Sequence, residues 1–156
     1  MTDNHRTTRP IHILVADDDQ DDCLLMREAL QEGRVANSVS FVHNGEELLH
    51  YLLRQPPYQN EQQYPLPGLI LLDLNMPLMD GREALAELKK HPQLRRIPVV
   101  ILTTSSAPED IELSYDKGVN SFITKPVTFS GLVEVVRTLG QYWLELVELP
   151  AADKES

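Results

Sequence analysis

Apolar residues recur along this chain with two alternating periods. Short, nearly continuous runs at 11–16, 39–43, 69–74, 98–103 and 121–124 carry the mark of strands buried on both faces. Between them lie longer stretches in which apolar positions return every three or four residues, as on helices. The first helix is expected from about Asp19 to Glu32, stopped by Gly33. Asn44 followed by Glu47 caps a second, reaching about Arg54. Asp80 caps a third, from Gly81 to about Lys90. Ser106-Ala107-Pro108-Glu109 has the form of a capping box for a fourth, ending at Gly118, and Thr128 starts a fifth that reaches about Val147. Pro56, Pro57, Pro65 and Pro67 exclude a regular element from 55–68, which is expected to be a long functional or mobile loop.

Five strands alternating with five helices predict a parallel sheet covered on both faces. The doubly wound flavodoxin-like order 2-1-3-4-5 is the natural choice. The expected domain spans 11–149, between a flexible tail at 1–10 and a polar tail at 150–156. Only a few residues follow 149, so the sequence predicts a stand-alone domain whose output is interaction.

The 156 residues include 24 acidic and 14 basic side chains, a formal net charge of −10, which argues against a broad nucleic-acid surface or anionic lipid as partner. No apolar run approaches the ~20 residues that span a bilayer, and 1–10 lacks the apolar segment of a signal peptide, so a cytoplasmic location is expected. The single cysteine, Cys23, excludes an internal disulfide and falls in a helical pattern, where a buried, unreactive thiol is the simplest reading. His5, His12, His43, His50 and His91 show no metal-ligand spacing.

In an open doubly wound sheet, ligands bind beyond the carboxyl ends of the strands, at the switch between strands one and three. Asp17-Asp18-Asp19 ends strand one, Asp73 ends strand three, Thr103 ends strand four and Lys125 follows strand five. Taken singly, each has an ordinary explanation: acids at strand ends cap helices, threonines close strands, and Lys-Pro marks a loop. Together they make a pocket of converging carboxylates, which a hard divalent cation would relieve. Metal, hydroxyl and ammonium are what a transferring phosphoryl group needs, and a carboxylate can serve as its nucleophile.

The motifs resemble those of response-regulator receiver domains in two-component signalling. Strand one reads Ile13-Leu14-Val15-Ala16-Asp17-Asp18, and the acceptor region Leu71-Leu72-Asp73-Leu74-Asn75-Met76-Pro77-Leu78-Met79-Asp80-Gly81. Thr103 follows Asp73 by 30 residues and Lys125 by 52, with Pro126 completing the family's Lys-Pro pair. The resemblance covers roughly 11–147. It implies phosphorylation on Asp73, with Mg²⁺ (or Mn²⁺) held by Asp17, Asp18, Asp73 and the Asn75 carbonyl. It makes Thr103, Lys125 and Phe122 the catalytic and switch residues, and Asn75 and Ser105 tuners of phosphoryl lifetime. A cis bond before Pro126 is common in the family. Thr104 departs from the smaller residue most receivers carry there.

The 55–68 loop, the stretch 80–89 and Tyr142-Trp143-Leu144-Glu145-Leu146-Val147 are similar to the small regulators that partner cyanobacterial phytochrome kinases. A phytochrome-type histidine kinase is the partner this resemblance implies, with signalling through helix four, strand five and helix five. The apolar arc of the last helix is broad, and Phe129, Val133, Val136, Tyr142, Trp143 and Val147 are expected to form a symmetric homodimer interface. Three other readings stay open: a dehalogenase-type phosphatase, which would want an acid where Asn75 stands; a nucleotide- or flavin-binding domain, although no Gly-rich loop follows strand one; and an unphosphorylated scaffold.

Overall fold

The computed structural model describes residues 12–32, 38–104, 110–112, 118–119 and 121–141. Its strands are β1 (His12–Ala16), β2 (Ser38–Val42), β3 (Leu69–Leu72), β4 (Val99–Thr103) and β5 (Ser121–Thr124), within two residues of the sequence expectation. They form one parallel sheet in the order β2-β1-β3-β4-β5. The helices are α1 (Gln20–Glu32), α2 (Gly45–Leu52), α3 (Gly81–Lys90), α4, described only at 110–112, and α5 (Phe129–Gln141).

Alternation along the strands divides the core. Leu14, Ala16, Ile70, Leu72, Val99 and Ile101 pack with Leu48, Leu52, Leu85 and Leu88 of α2 and α3. Ile13, Val15, Leu69, Leu71, Val100 and Leu102 pack with Met26, Leu30, Val133 and Val136 of α1 and α5. The continuous apolar runs of β1, β3 and β4 are therefore needed, because neither face of these central strands meets water.

Helix starts follow their caps. Asp19 Oδ1 accepts from the Asp21 and Asp22 N–H groups at 2.9 and 3.2 Å, and Asn44 Oδ1 accepts from Glu47 N–H at 2.8 Å. Asp80 and Glu83 form a reciprocal capping box. α2 ends at Leu52, short of Arg54, which takes the left-handed φ of 63° common past a helix end.

The 55–68 segment is built, not loose. Tyr51, Tyr58 and Tyr64 pack ring on ring, with centroids 4.9–5.8 Å apart. The Tyr51 hydroxyl donates to Pro65 O at 2.7 Å, and Arg54 donates to Tyr64 O. The expected capping box at Ser106 and the end of the last helix lie outside the described residues, as do both tails.

One expectation needs correction. Val133 and Val136 are buried in the chain's own core, 6% and 1% exposed, beneath α5. They help fill the space between α1, α5 and the sheet, so they present nothing to a second copy. Phe129, 40% exposed, does face solvent. Tyr142, Trp143 and Val147 lie outside the described residues. Over the described residues, the apolar arc of α5 is thus mainly its packing face.

Candidate functional site

The sheet register brings the chemistry together. Ala16 pairs with Leu72, and Thr103 with Thr124, so Asp17, Asp73, Thr103 and Lys125 emerge side by side at the carboxyl ends of four strands. Backbone bonds carry the ladder one step past the strands: Asp17 N–H to Val42 O at 3.0 Å, Asp73 N–H to Ala16 O at 2.9 Å and Lys125 N–H to Thr103 O at 2.7 Å. The functional side chains therefore hang from pinned backbone.

Behind Asp73 the chain turns tightly into α3. Gly81 N–H donates to Leu74 O at 2.9 Å, and a Cβ at Gly81 would collide with the Asp73 carbonyl oxygen. This close approach explains the glycine that follows Asp80.

Asp73 is buried, 7% exposed. Its Oδ1 accepts from Thr103 Oγ1 at 2.6 Å and from Asn75 N–H at 3.1 Å. Its Oδ2 accepts from Lys125 Nζ at 3.1 Å. The same ammonium donates to Asp17 Oδ2 at 2.6 Å and Asp22 Oδ2 at 2.8 Å. Burial alone would drag the Lys125 pKa down, but the bonds to Asp17 and Asp22 outweigh it and hold the ammonium protonated, its pKa raised. Burial pushes the Asp17 carboxyl up, against the bonds from Lys125 and the Asp19 N–H.

Asp17, Asp18 and Asp73 each offer a carboxylate oxygen, all within 4.8 Å of one another. Asp18 is exposed, while the other two are buried. One ammonium cannot neutralise these three charges and Asp22 as well. An oxygen-only, strongly negative set with an open side suits a hard divalent cation that keeps part of its water shell.

Asn75 is exposed beside Asp73, and Phe122 is half-buried against the core cluster that contains Leu72, Leu74 and Ile101. Ser105 lies outside the described residues. The cis peptide bond falls at Pro56–Pro57 and not before Pro126. Cys23 is buried, as expected. Its Sγ lies 3.4 Å from Asp17 O, and burial among the acids pushes its pKa up to about 12, which leaves the thiol inert.

Two contacts were not foreseen from the sequence. Asp22 stands in the first turn of α1, where an acid ordinarily favours the helix start, yet it reaches Lys125. Its place one turn beyond Asp18 was the available signal. His43 Nδ1 lies 3.1 Å from Asp17 O, and nothing in the spacing of the histidines indicated that contact.

Residues 13–137 match the family described as the response regulator receiver domain. Response regulator Rcp1 of Synechocystis sp. is 41% identical over 143 residues, covering 92% of this chain and 95% of the relative. A crystal structure of the phosphorylated cyanobacterial phytochrome response regulator RcpA superimposes with a TM-score of 0.84 at 42% identity, covering 92% of this chain and all of that one. The Mn²⁺-bound form of Rcp1 gives a TM-score of 0.81 at 40% identity, covering 91% of this chain and 100% of that structure. No helix among the described residues is long and apolar enough to cross a membrane.

Proposed function

The chain belongs to the response-regulator receiver-domain family, and from that premise we propose that it accepts a phosphoryl group on Asp73 from a phytochrome-type histidine kinase. The observation that carries this reading is the setting of the Asp73 carboxylate. One oxygen is held by Thr103 and the Asn75 N–H, and the other faces the Lys125 ammonium beside two further acids.

Asp73 attacks the phosphorus of a phosphohistidine; the new O–P bond forms as the P–N bond breaks, and the electron pair stays with the imidazole. Lys125 lies where it can shift from the Asp73 oxygen to the incoming phosphoryl oxygens, and the Thr103 hydroxyl can do the same. Asp17, Asp18 and Asp73, with the Asn75 carbonyl, are the residues to hold Mg²⁺ or Mn²⁺, which supplies charge neutralisation at the transferring group. The same residues let the domain use small phosphodonors and assist its own dephosphorylation, at a rate tuned by Asn75 and Ser105. RcpA, a cyanobacterial phytochrome response regulator, supports the phytochrome assignment.

In this reading, movement of Thr103 and Phe122 passes the phosphorylation state to the surface of α4, β5 and α5 in a cytoplasmic regulator. Association of two copies there would draw on Phe129 and, from the sequence, on Tyr142, Trp143 and Val147. Trp143→Ala should weaken that dimer in sedimentation equilibrium; unchanged association would remove the interface from the proposal.

The direct test is incubation with acetyl phosphate and Mg²⁺, read by intact mass, followed by transfer from a phosphorylated phytochrome kinase. Wild type should gain one phosphate and Asp73→Asn none. No adduct on wild type from either donor would leave a scaffold that resembles a receiver.

A further inference from the structure

The 55–68 loop takes no part in the chemistry above, yet it is tied to the acidic pocket by a continuous line of hydrogen bonds. Tyr58, packed between Tyr51 and Tyr64, donates its hydroxyl to Glu47 Oε2 at 2.7 Å. Glu47 Oε1 accepts from the His43 N–H at 2.7 Å. The His43 ring then meets Asp17 O through Nδ1 at 3.1 Å. A carbonyl oxygen only accepts, so Nδ1 carries the hydrogen of that bond.

The carbonyl at the end of this line matters. Asp17 C=O belongs to the peptide plane joining Asp17 to Asp18, so its orientation sets the direction in which both acids leave the backbone. The N–H side of Asp17 is already pinned to Val42 O at 3.0 Å. On its carbonyl side, among the described residues, Asp17 O meets His43 and, more weakly, the Cys23 thiol at 3.4 Å. His43 is itself held by Glu47, which also closes the first turn of α2 through its N–H to Asn44 Oδ1 at 2.8 Å. Glu47 is thus diverted from the reciprocal cap that Glu83 makes on α3.

We propose that His43, with Glu47 and Tyr58 behind it, is a positioning residue that holds the Asp17–Asp18 peptide in its metal-binding orientation, so that the 55–68 loop braces the pocket. This inference rests on the reading of Asp17 and Asp18 as metal ligands. Loss of a group behind a metal's direct ligands ordinarily costs about 10–100-fold in metal affinity.

The test is calorimetric titration of the full-length chain with Mg²⁺ alone, with no phosphodonor. His43→Ala should bind Mg²⁺ about ten-fold more weakly. His43→Asn, whose amide N–H stands close to where Nδ1–H was, should stay within roughly two-fold of wild type, whereas His43→Gln, whose amide sits farther out, should resemble the alanine variant. Tyr58→Phe, which removes one hydroxyl remote from the pocket, should weaken binding roughly three-fold.

Wild-type affinity in both His43→Ala and Tyr58→Phe would overturn the proposal. So would His43→Asn binding as weakly as His43→Ala, because the loss would then not be that of the Nδ1 donor. If His43→Ala does not fold, the comparison of the asparagine and glutamine variants decides, and equal affinities count against the brace. A wild type that takes up no Mg²⁺ would fell the functional reading itself, and this inference with it.

Discussion

The two ends of β1 each bury a polar side chain, and they do so by opposite means. At the carboxyl end, Asp17 is 5% exposed and stays beside Asp73, with Lys125 shared among the carboxylates. At the amino end, His12 is 9% exposed and surrounded by neutral hydroxyls. Its Nδ1 meets Ser38 Oγ at 2.6 Å, and its Nε2 lies 2.9 Å from Ser40 Oγ and 3.1 Å from Tyr51 OH. The neutral end is satisfied by hydrogen bonds and closes the base of the sheet. The charged end keeps like charges crowded together, which is poor for stability and useful for binding a cation or a phosphoryl group. The difference separates a polar cluster that serves the fold from one that serves the chemistry.

Changes at each end sharpen this contrast. The largest effect is expected for Lys125→Ala, which strands Asp17 and Asp73 without their ammonium. Urea unfolding without metal should show a loss of about 3–5 kcal/mol. Mg²⁺ should restore more stability to this variant than it adds to wild type, since the cation replaces the missing charge. Equal increments would show that the pocket does not need the charge.

His12→Ala should cost about 2 kcal/mol by leaving the hydroxyls without their ring. Here Mg²⁺ should add the same increment as in wild type, because the two ends are separated by the length of β1. An altered Mg²⁺ increment would break the contrast. A smaller, pH-dependent effect should accompany it. Burial lowers the His12 pKa below its usual 6.5. The unfolded chain then takes up a proton near that value while the native chain does not. Stability contributed by neutral His12 is therefore full above about pH 6.5 and should decline as pH falls from there toward the lower native pKa. Wild type minus His12→Ala, compared by urea unfolding from pH 7.5 to 5, should show that slope; parallel curves would remove His12 as its source.

The smallest effect belongs to Asp80→Ala, which removes a helix cap without stranding a buried charge. It should cost about 1 kcal/mol, with no special dependence on Mg²⁺ or on pH near 6. Thermal unfolding of this variant calibrates the other two.

Much of the charged end was legible beforehand. Parallel strands must be apolar throughout, so their ends are marked by the first polar residue. In a doubly wound sheet, the residues just past those ends share one edge. That is why Asp17, Asp73, Thr103 and Lys125 could be grouped from spacing alone. The amino end was not legible. His12, Ser38, Ser40 and Tyr51 lie on three elements, and nothing local distinguishes a buried histidine from an exposed one. The role of 55–68 was hidden for the same reason, because four prolines forbid a regular element but do not say that three tyrosines will pack together. In the last helix the wide apolar arc did not say which of its residues face inward: Val133 and Val136 belong to the core.

By itself, the sequence determined the order and type of the elements, the parallel sheet and the edge at which the chemistry gathers. These follow from periodicity, caps and the geometry of right-handed crossovers, all of which are short-range or topological. Only the tertiary structure decided how Lys125 is divided among Asp17, Asp22 and Asp73, that His43 meets the Asp17 carbonyl, and which apolar face of α5 is left for water. Those outcomes depend on distances between residues far apart in the chain, set by packing across the sheet, and no local pattern encodes them.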